Sequence, residues 1–308
     1  MQFVIADRKR PKPGNNDVLV KVHAASVNPK DWKLNRRFAH CLTPVGTRIM
    51  PPLFGDDLAG EVIRVGRNVT DYAVGDRVFG MDMKPRTASL AEYAIINQKR
   101  IAHLPDSISY EQAAAVPLAG QTALQGLRKG GAAKGQSVLI IGASGGVGTY
   151  AVQISHALGC HVTAVCCGRN TTLVKELGAD VVIDYTAGDY RSNSGQFDLV
   201  FDVTSYETPS SCKSLLKPDG RFISTMGNAR AAVATLLSLR SNASLVTVES
   251  RTDDLNTLSA LMTQGKMKSV VDSRFSLAES EQAYARSRTG RAQGKIVIHM
   301  NNRDPAPN

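Results

Sequence analysis

The stretch that most constrains this chain is Val138-Leu139-Ile140-Ile141-Gly142-Ala143-Ser144-Gly145-Gly146-Val147-Gly148. A run of strand-forming residues passes directly into a glycine loop, and the loop into a segment whose apolar residues Val147, Ala151, Ile154 and Leu158 recur at helical spacing. Glycine lets the backbone bend sharply and come close to a ligand. The helix that follows offers unpaired N–H groups and the positive end of its dipole to an anion. This combination is built to cradle the pyrophosphate of a dinucleotide, with Ser144, Gly145, Gly146, Val147 and Gly148 as contact and packing residues. The spacing is Gly-x-x-Gly-x-x-Gly instead of the standard Gly-x-Gly-x-x-Gly, so the strand before and the helix after it carry the assignment.

From Val138 onward, strand-like runs at 138–141, 162–166, 181–183, 199–203 and 222–225 alternate with helical segments long enough for βαβ crossovers. That order implies an α/β, doubly wound parallel sheet. The first third differs. Val18, Val20 and Val22 alternate with Leu19, Lys21 and His23, residues 61–65 repeat the period of two, and Pro13-Gly14, Pro51-Pro52, Gly60, Gly75-Asp76 and Gly80 punctuate the segments between. A compact β-barrel-like module is expected there. At the change of character, Asp106 or Ser107 is expected to cap a helix with Glu111 in its first turns, the helical run being broken near Pro117 and Gly120. The final stretch reads as a helix over 279–288, a turn over 290–294 and a strand over 295–299.

Length and charge narrow the function classes. At roughly 100–200 residues per domain, 308 residues suit two domains. No apolar stretch approaches the roughly 20 residues of a membrane-spanning helix; Ala231 to Leu239 is short and flanked by Arg230 and Arg240. The basic run Arg8-Lys9-Arg10 follows so soon that no secretory signal core precedes it, and an intracellular, soluble protein of cytoplasm or organelle is expected. The five cysteines form no Cys-x-x-Cys pair, and the six histidines include no pair at i, i+4, so no metal ligand set is expected. The net charge of +10 is dispersed and not interleaved with aromatic residues, which fits a solvated surface and one anionic ligand better than specific nucleic-acid binding.

The choice of cofactor rests on the end of the second strand of the parallel sheet. An acidic residue there would hold the ribose hydroxyls of NADH. The chain instead reads Val165-Cys166-Cys167-Gly168-Arg169-Asn170, with no carboxylate before Glu176 and Arg169 placed to meet a 2′-phosphate. NADPH is the expected cofactor. Lys175 and Tyr185 are secondary candidates for that phosphate, the alternatives being a surface helix charge and a core-edge tyrosine. Met226-Gly227-Asn228, after the fifth strand, falls where doubly wound sheets place their ligands.

Several further segments resemble the zinc-independent, quinone oxidoreductase (zeta-crystallin-like) branch of the medium-chain dehydrogenase/reductase superfamily. They are residues 26–33, Gly55-Asp56-Asp57-Leu58-Ala59-Gly60, residues 74–80, residues 113–123, residues 176–180 and Gly294-Lys295-Ile296-Val297-Ile298. The resemblance implies a GroES-like partial barrel over 1–118, a Rossmann NADPH-binding domain over 119–260, and a return to the substrate domain over 261–308. It places Asn28 and Lys30 at the cleft near the nicotinamide with Asp31 orienting them, sets Thr122 on the nicotinamide amide or ribose, and adds Lys295 to the cofactor-binding residues. Zinc-dependent relatives carry a cysteine within the segment matching Asn28 to Asp31 and Gly-His-Glu where this chain has Gly55-Asp56-Asp57. Two departures accompany the match. The chain begins close to Pro11-Lys12-Pro13-Gly14, so the opening of the barrel is expected to be shortened, and residues 36–51 lack the tyrosines many quinone reductases place near the substrate.

The activity implied is NADPH-dependent reduction of a quinone or an α,β-unsaturated carbonyl without zinc, in a homodimer, as is usual for the family. A different class stays open on the same residues: an NADPH-binding interaction protein with little turnover, its basic surface held against an anionic membrane or RNA. A zinc-free alcohol dehydrogenase is the weakest reading, because no residue offers an obvious proton relay.

Overall fold

In the computed structural model, residues 5–32, 55–83, 87–192, 196–226, 229–237 and 242–300 are described. The chain divides into two compact units. The first comprises residues 1–118, 250–263 and 271–308, and the second comprises 119–249 and 264–270. The second crossing falls at 249/250, where the sequence suggests 260. The helix Thr252–Thr263 belongs to the first unit because Ser250 Oγ and Thr252 Oγ1 donate to the carbonyls of Arg100 and Ile101 (3.2 and 2.8 Å), and its Leu255 and Leu258 are buried.

In chain order the strands are β1 (Asp17–Val27), β2 (Asp57–Val65), β3 (Arg77–Met81), β4 (Tyr93–Asn97) and β5 (Ile101–His103), then β6 (Ser137–Ile141), β7 (His161–Cys166), β8 (Val181–Asp184), β9 (Phe197–Asp202), β10 (Leu216–Thr225) and β11 (Ala243–Val246), and finally β12 (Val271–Ser276) and β13 (Lys295–His299). The first unit is a seven-stranded sheet in the order β12-β13-β1-β2-β3-β5, with β4 also on β1. Its pairings are antiparallel except β12 with β13. The period of two in β1 does its work here: Val18, Val20 and Val22 point into a core with Leu58, Val62, Val78, Ile96, Ile101, Tyr284, Ile296 and Ile298. Shifts of register between β1 and β2, at Leu19/Val20 and Val22/Ala24, bend the long strand so that it can serve both β4 and β13.

Ser109, not Asp106 or Ser107, caps the helix Tyr110–Ala114. It accepts from Gln112 N–H at 3.2 Å while Gln112 Oε1 accepts from Ser109 N–H at 3.1 Å, a reciprocal pair that the earlier residues, occupied in a turn from Pro105 to Ile108, cannot make. Pro117 does not break a helix but opens the next one, Pro117–Gly130, which runs through Gly120.

The second unit is a six-stranded, wholly parallel sheet in the order β11-β10-β9-β6-β7-β8. The order reverses at β6, the strand that feeds the glycine loop, and ligands of open parallel sheets bind at such reversals. The helix Gly146–Ala157 buries Tyr150, Ala151, Val152 and Ile154; Leu158, expected on the same stripe, ends it exposed. Gly126 and Gly130 of the helix before β6 lie against Phe201 and Leu199, so close that an added Cβ would stand 2.4 and 2.6 Å from those side chains.

Candidate functional site

In the second unit the loop after β6 has the form the sequence implies. Gly142 takes φ +88°, a left-handed conformation open to glycine, and Gly145 sits at the N-cap of the helix Gly146–Ala157. No side chain caps that helix and no acidic residue stands in its first turn, so its N–H groups and dipole are left for an anion. The glycines have different duties. A Cβ on Gly148 would stand 2.1 Å from the Gly142 carbonyl oxygen, whereas a Cβ on Gly145 would meet only that oxygen, at 3.5 Å. Gly148 is therefore a packing glycine, and Gly145 faces open space suited to a pyrophosphate. Ser144 and Val147 are half-buried in the same loop.

Sequence reasoning missed the residue that braces this loop. Asn170 is buried, and its Nδ2 donates to Ser144 Oγ at 2.8 Å, tying the end of the β7 turn to the glycine loop. Beside it Arg169 is exposed on the single turn Gly168–Asn170. Tyr185, also exposed, donates its backbone N–H to the Cys166 carbonyl at 3.1 Å, which sets it next to the same strand end. Lys175, in the last turn of the helix Thr171–Glu176, lines a surface hollow with Asp180, Val181 and Val182, toward the beginning of β8, whereas Tyr185 follows its end.

Asp184 was also missed. Parallel pairing sets it opposite Cys166, and its carboxylate lies where a Cβ on Gly168 would be 2.4 Å from Oδ2. Hydrogen bonds from Thr186 and the Gly168 backbone hold its carboxyl below the usual range. The strand end thus carries a carboxylate as well as Arg169.

At the carboxyl ends of β9 and β10 a second polar group closes over the loop. Asp202 is fully buried and accepts from the backbone N–H groups of Thr204, Ser205 and Glu207 at 2.9, 3.1 and 2.9 Å, although burial still pushes its carboxyl upward. Ser205 adopts φ +62° and donates to the Thr225 carbonyl at 2.7 Å. Met226 follows β10 with 59% of its surface exposed. Gly227, with Asn228, lies outside the described residues. Thr122 is buried in the helix Pro117–Gly130.

The first unit gathers the expected catalytic residues. Asn28 follows β1, just before a helical turn over 29–32, and is 1% exposed. Its Nδ2 donates to Asp57 Oδ2 at 2.9 Å, and its Oδ1 accepts from Lys295 Nζ. Lys295 is brought here by the pairing of β13 with β1 and is 4% exposed. Its ammonium group also meets Asp57 Oδ2 and the Val27 carbonyl, each at 3.4 Å. Lys295, expected among the cofactor residues, is a member of the Asn28 network. Asp57 further accepts from Ser26 Oγ at 2.6 Å and from the Leu118 backbone N–H at 2.8 Å.

Asp31 Oδ2 accepts from the Asn28 backbone N–H at 3.0 Å and from Tyr284 Oη at 2.9 Å. Burial nevertheless pushes its carboxyl up to about 6, and pushes the Tyr284 phenol well above its ordinary value. Lys30 Nζ lies 2.6 Å from Asp56 Oδ2. Burial, and then the charge of Asp31, raise the Asp56 carboxyl to about 7. Stretches 33–54 and 84–86, including the tyrosine-poor segment 36–51, lie outside the described residues.

Residues 14–106 match the family described as alcohol dehydrogenase GroES-like domain, and residues 177–298 match the one described as zinc-binding dehydrogenase. The chain is 37% identical to a chloroplastic quinone-oxidoreductase QR1 of Triphysaria versicolor, over 94% of this chain and 91% of the relative. It is 34% identical to the 2-methylene-furan-3-one reductase of Solanum lycopersicum, over 94% of this chain and 73% of the relative. The solved structure of the quinone oxidoreductase from Coxiella burnetii superposes with a TM-score of 0.85 at 30% identity, covering 96% and 93% of the two chains. This chain belongs to the quinone oxidoreductase family of medium-chain dehydrogenases/reductases. It is an oxidoreductase with a GroES-like domain and a parallel Rossmann sheet, of a family that uses nicotinamide cofactors.

Membership raises the question of zinc, which some branches of the superfamily bind. The residues at the corresponding positions do not fit it. Asp56 and Asp57 are each matched by a lysine ammonium, and among the described residues no group of three or more His, Cys, Asp and Glu could hold a metal ion. A dication placed there would meet two fixed positive charges. The nicotinamide dinucleotide, by contrast, fits the open Gly145 face and the uncapped helix. Among the described residues, no helix of this quinone oxidoreductase homologue is long and apolar enough to cross a membrane.

Proposed function

We propose that this protein is an NADPH-dependent reductase of quinones or α,β-unsaturated carbonyls that works without zinc. The observation that carries the reading is the pair of ammonium groups among buried carboxylates, Lys30 on Asp56 and Lys295 on Asp57 and the Asn28 amide. Hydride addition to an electron-poor carbon makes the acceptor oxygen anionic, and fixed donors at that oxygen lower the barrier. Lys30 is suited to this role because its ammonium group has three N–H bonds, one of which can be held by Asp56 while the others remain for an acceptor. Lys295 and Asn28 hold Asp57 and the end of β1 in place.

On the cofactor side, Gly145, Gly146 and the uncapped helix would take the pyrophosphate. Arg169, with Tyr185, would take the adenosine 2′-phosphate, and Thr122 and Met226 would lie toward the nicotinamide. When bound, the dinucleotide supplies a hydride. The tomato relative reduces an exocyclic enone by its name, which supports the enone class of acceptor.

The deciding experiment is oxidation of NADPH and of NADH by the purified protein with a panel of quinones and enones. Turnover of at least one class with NADPH supports the reading, and no turnover with any acceptor removes it.

A further inference from the structure

In the first unit Asp31, Asp56 and Asp57 are buried together, and among the described residues two lysine ammonium groups, Lys30 and Lys295, face them. With all five groups ionised the cluster would carry a net charge of −1 in a site shielded from water, an arrangement proteins avoid by keeping a proton. The hydrogen bonds say where that proton stays. Asp57 takes four donors, from Ser26, Asn28, Lys295 and Leu118. Asp31 accepts from the Asn28 backbone and from Tyr284. Asp56, 7% exposed, has Lys30 in ionic contact, yet its Oδ2 meets no aligned donor. Nearby, the Asp82 backbone N–H donates to the Asp56 carbonyl at 3.2 Å, and the Asp82 carboxylate is itself paired with Arg100. Among the described residues Asp56 thus accepts the fewest hydrogen bonds of the three carboxylates. The upward displacement of its carboxyl, to about 7, agrees with that placement.

We propose that Asp56 is the proton store of this enzyme and reloads Lys30, which passes the proton to the reduced acceptor. The proposal rests on the reductase reading above. In the step itself, the acceptor that has received a hydride is an enolate or a hydroquinone anion. A Lys30 N–H bond breaks and its proton forms a C–H bond at the α-carbon of the enolate, or an O–H bond on the hydroquinone. The Asp56 O–H bond then breaks to restore the ammonium group, and the carboxylate takes its next proton from water. The sum is one hydride and one proton added to the acceptor, with no other reactant. Lys30 is the catalytic residue in this scheme, and Asp56 acts through it. The side chains suit the transfer: Lys30 is 28% exposed and reaches solvent, and that of Asp56 is 10% exposed behind it.

Two measurements test this, one without acceptor and one with it. In protein labelled with ¹³C at the aspartate carboxyls, carrying neither cofactor nor acceptor, one resonance should titrate at about pH 7, far above the ordinary aspartate value of about 4, and should vanish in Asp56→Asn. In turnover with NADPH and an accepted enone or quinone, Asp56→Asn and Lys30→Met should each lower kcat at least about tenfold while the dissociation constant for NADPH stays within about twofold. The wild-type decline of kcat above neutral pH should disappear in Asp56→Asn, a change a merely structural residue would not produce. Should Asp56→Asn fail to fold, the wild-type titration and Lys30→Met still decide. An Asp56 resonance that titrates at the ordinary aspartate value, or variants with unchanged kcat and pH profile, would overturn the relay. Absence of wild-type turnover with every acceptor would overturn the reductase reading, and with it the relay, even if the carboxyl titrates as stated. The two failures are told apart because the resonance is read without acceptor.

Discussion

Asn170 and Ser144 share a 2.8 Å hydrogen bond from amide to hydroxyl, joining the ends of two neighbouring parallel strands 26 residues apart. The bond fixes the glycine loop from the side, at a point where the loop has no side-chain cap of its own. Asn170→Ala should weaken NADPH binding by roughly tenfold, about 1.4 kcal/mol, with a smaller effect on thermal stability, as titration calorimetry and melting would show. Unchanged affinity would mean that the loop holds its shape unaided.

The glycines of the loop should separate binding from folding. Gly145→Val introduces a side chain into open space and keeps an extended backbone at φ −82°, so the protein should fold with near wild-type melting while NADPH no longer raises the melting temperature. Gly148→Ala drives a methyl group into the Gly142 carbonyl and should lower the melting temperature before any ligand is added. The reverse pattern would assign the pyrophosphate to the other face of the loop.

Arg169 and Asp184 make opposite demands at the end of β7. If Arg169 pairs a 2′-phosphate, NADPH should bind at least about tenfold more tightly than NADH, and Arg169→Ala should remove most of that preference. Asp184→Asn should then raise NADPH affinity slightly or leave it alone, because an ionised carboxylate near the phosphate is withdrawn. A preference for NADH that depends on Asp184 would reverse the assignment.

Asn28 is held at both ends of its amide, so its loss has two consequences. Asn28→Ala leaves Lys295 and Asp57 each short of a buried partner and should cost about 1–3 kcal/mol of stability. It should also lower turnover by at least roughly tenfold with little change in NADPH affinity. A drop in melting temperature with full turnover per folded molecule would confine Asn28 to a structural role.

The pH dependence of stability has a definite sign. Asp31 and Asp56 keep their protons to about 6 and about 7 in the folded protein, above the ordinary 3.8, so between those limits the folded state binds more protons than the unfolded one. Their contribution is present below about pH 4 and is lost as pH rises through 6 and 7. Melting measured from pH 5 to 8 should show Asp56→Asn gaining on the wild type as pH rises, since the amide has no proton to lose. A difference independent of pH would mean that Asp56 is ionised throughout.

The alternation of β1 and the passage from Val138 through Gly148 were legible because they are local: each depends on residues within a few positions. The expected strands of the parallel sheet overlap β6 to β10, and only their ends moved, as where β10 begins at Leu216 instead of Phe222. What escaped was set by pairing. Asp184 reaches Gly168 through the register of β7 with β8, and Lys295 reaches Asn28 through that of β13 with β1, neither visible as a spacing in the chain. The cap at Ser109 was within sight, since Ser109 and Gln112 stand at the capping-box interval, but the earlier Asp106 and Ser107 offered the same chemistry.

The position of β13 between β12 and β1 bears on how the protein is made. During synthesis, β1 emerges early, and its residues 24–27 have an edge that β13 covers only once residues 295–299 leave the ribosome, while Asp57 waits equally long for the ammonium group that neutralises it. The parallel sheet, whose strands all lie between residues 137 and 246, can meanwhile assemble in full. The nascent chain therefore spends most of its translation with an open strand edge, the state in which chaperone binding and aggregation compete, and truncation within the last strand should harm solubility far more than its length suggests.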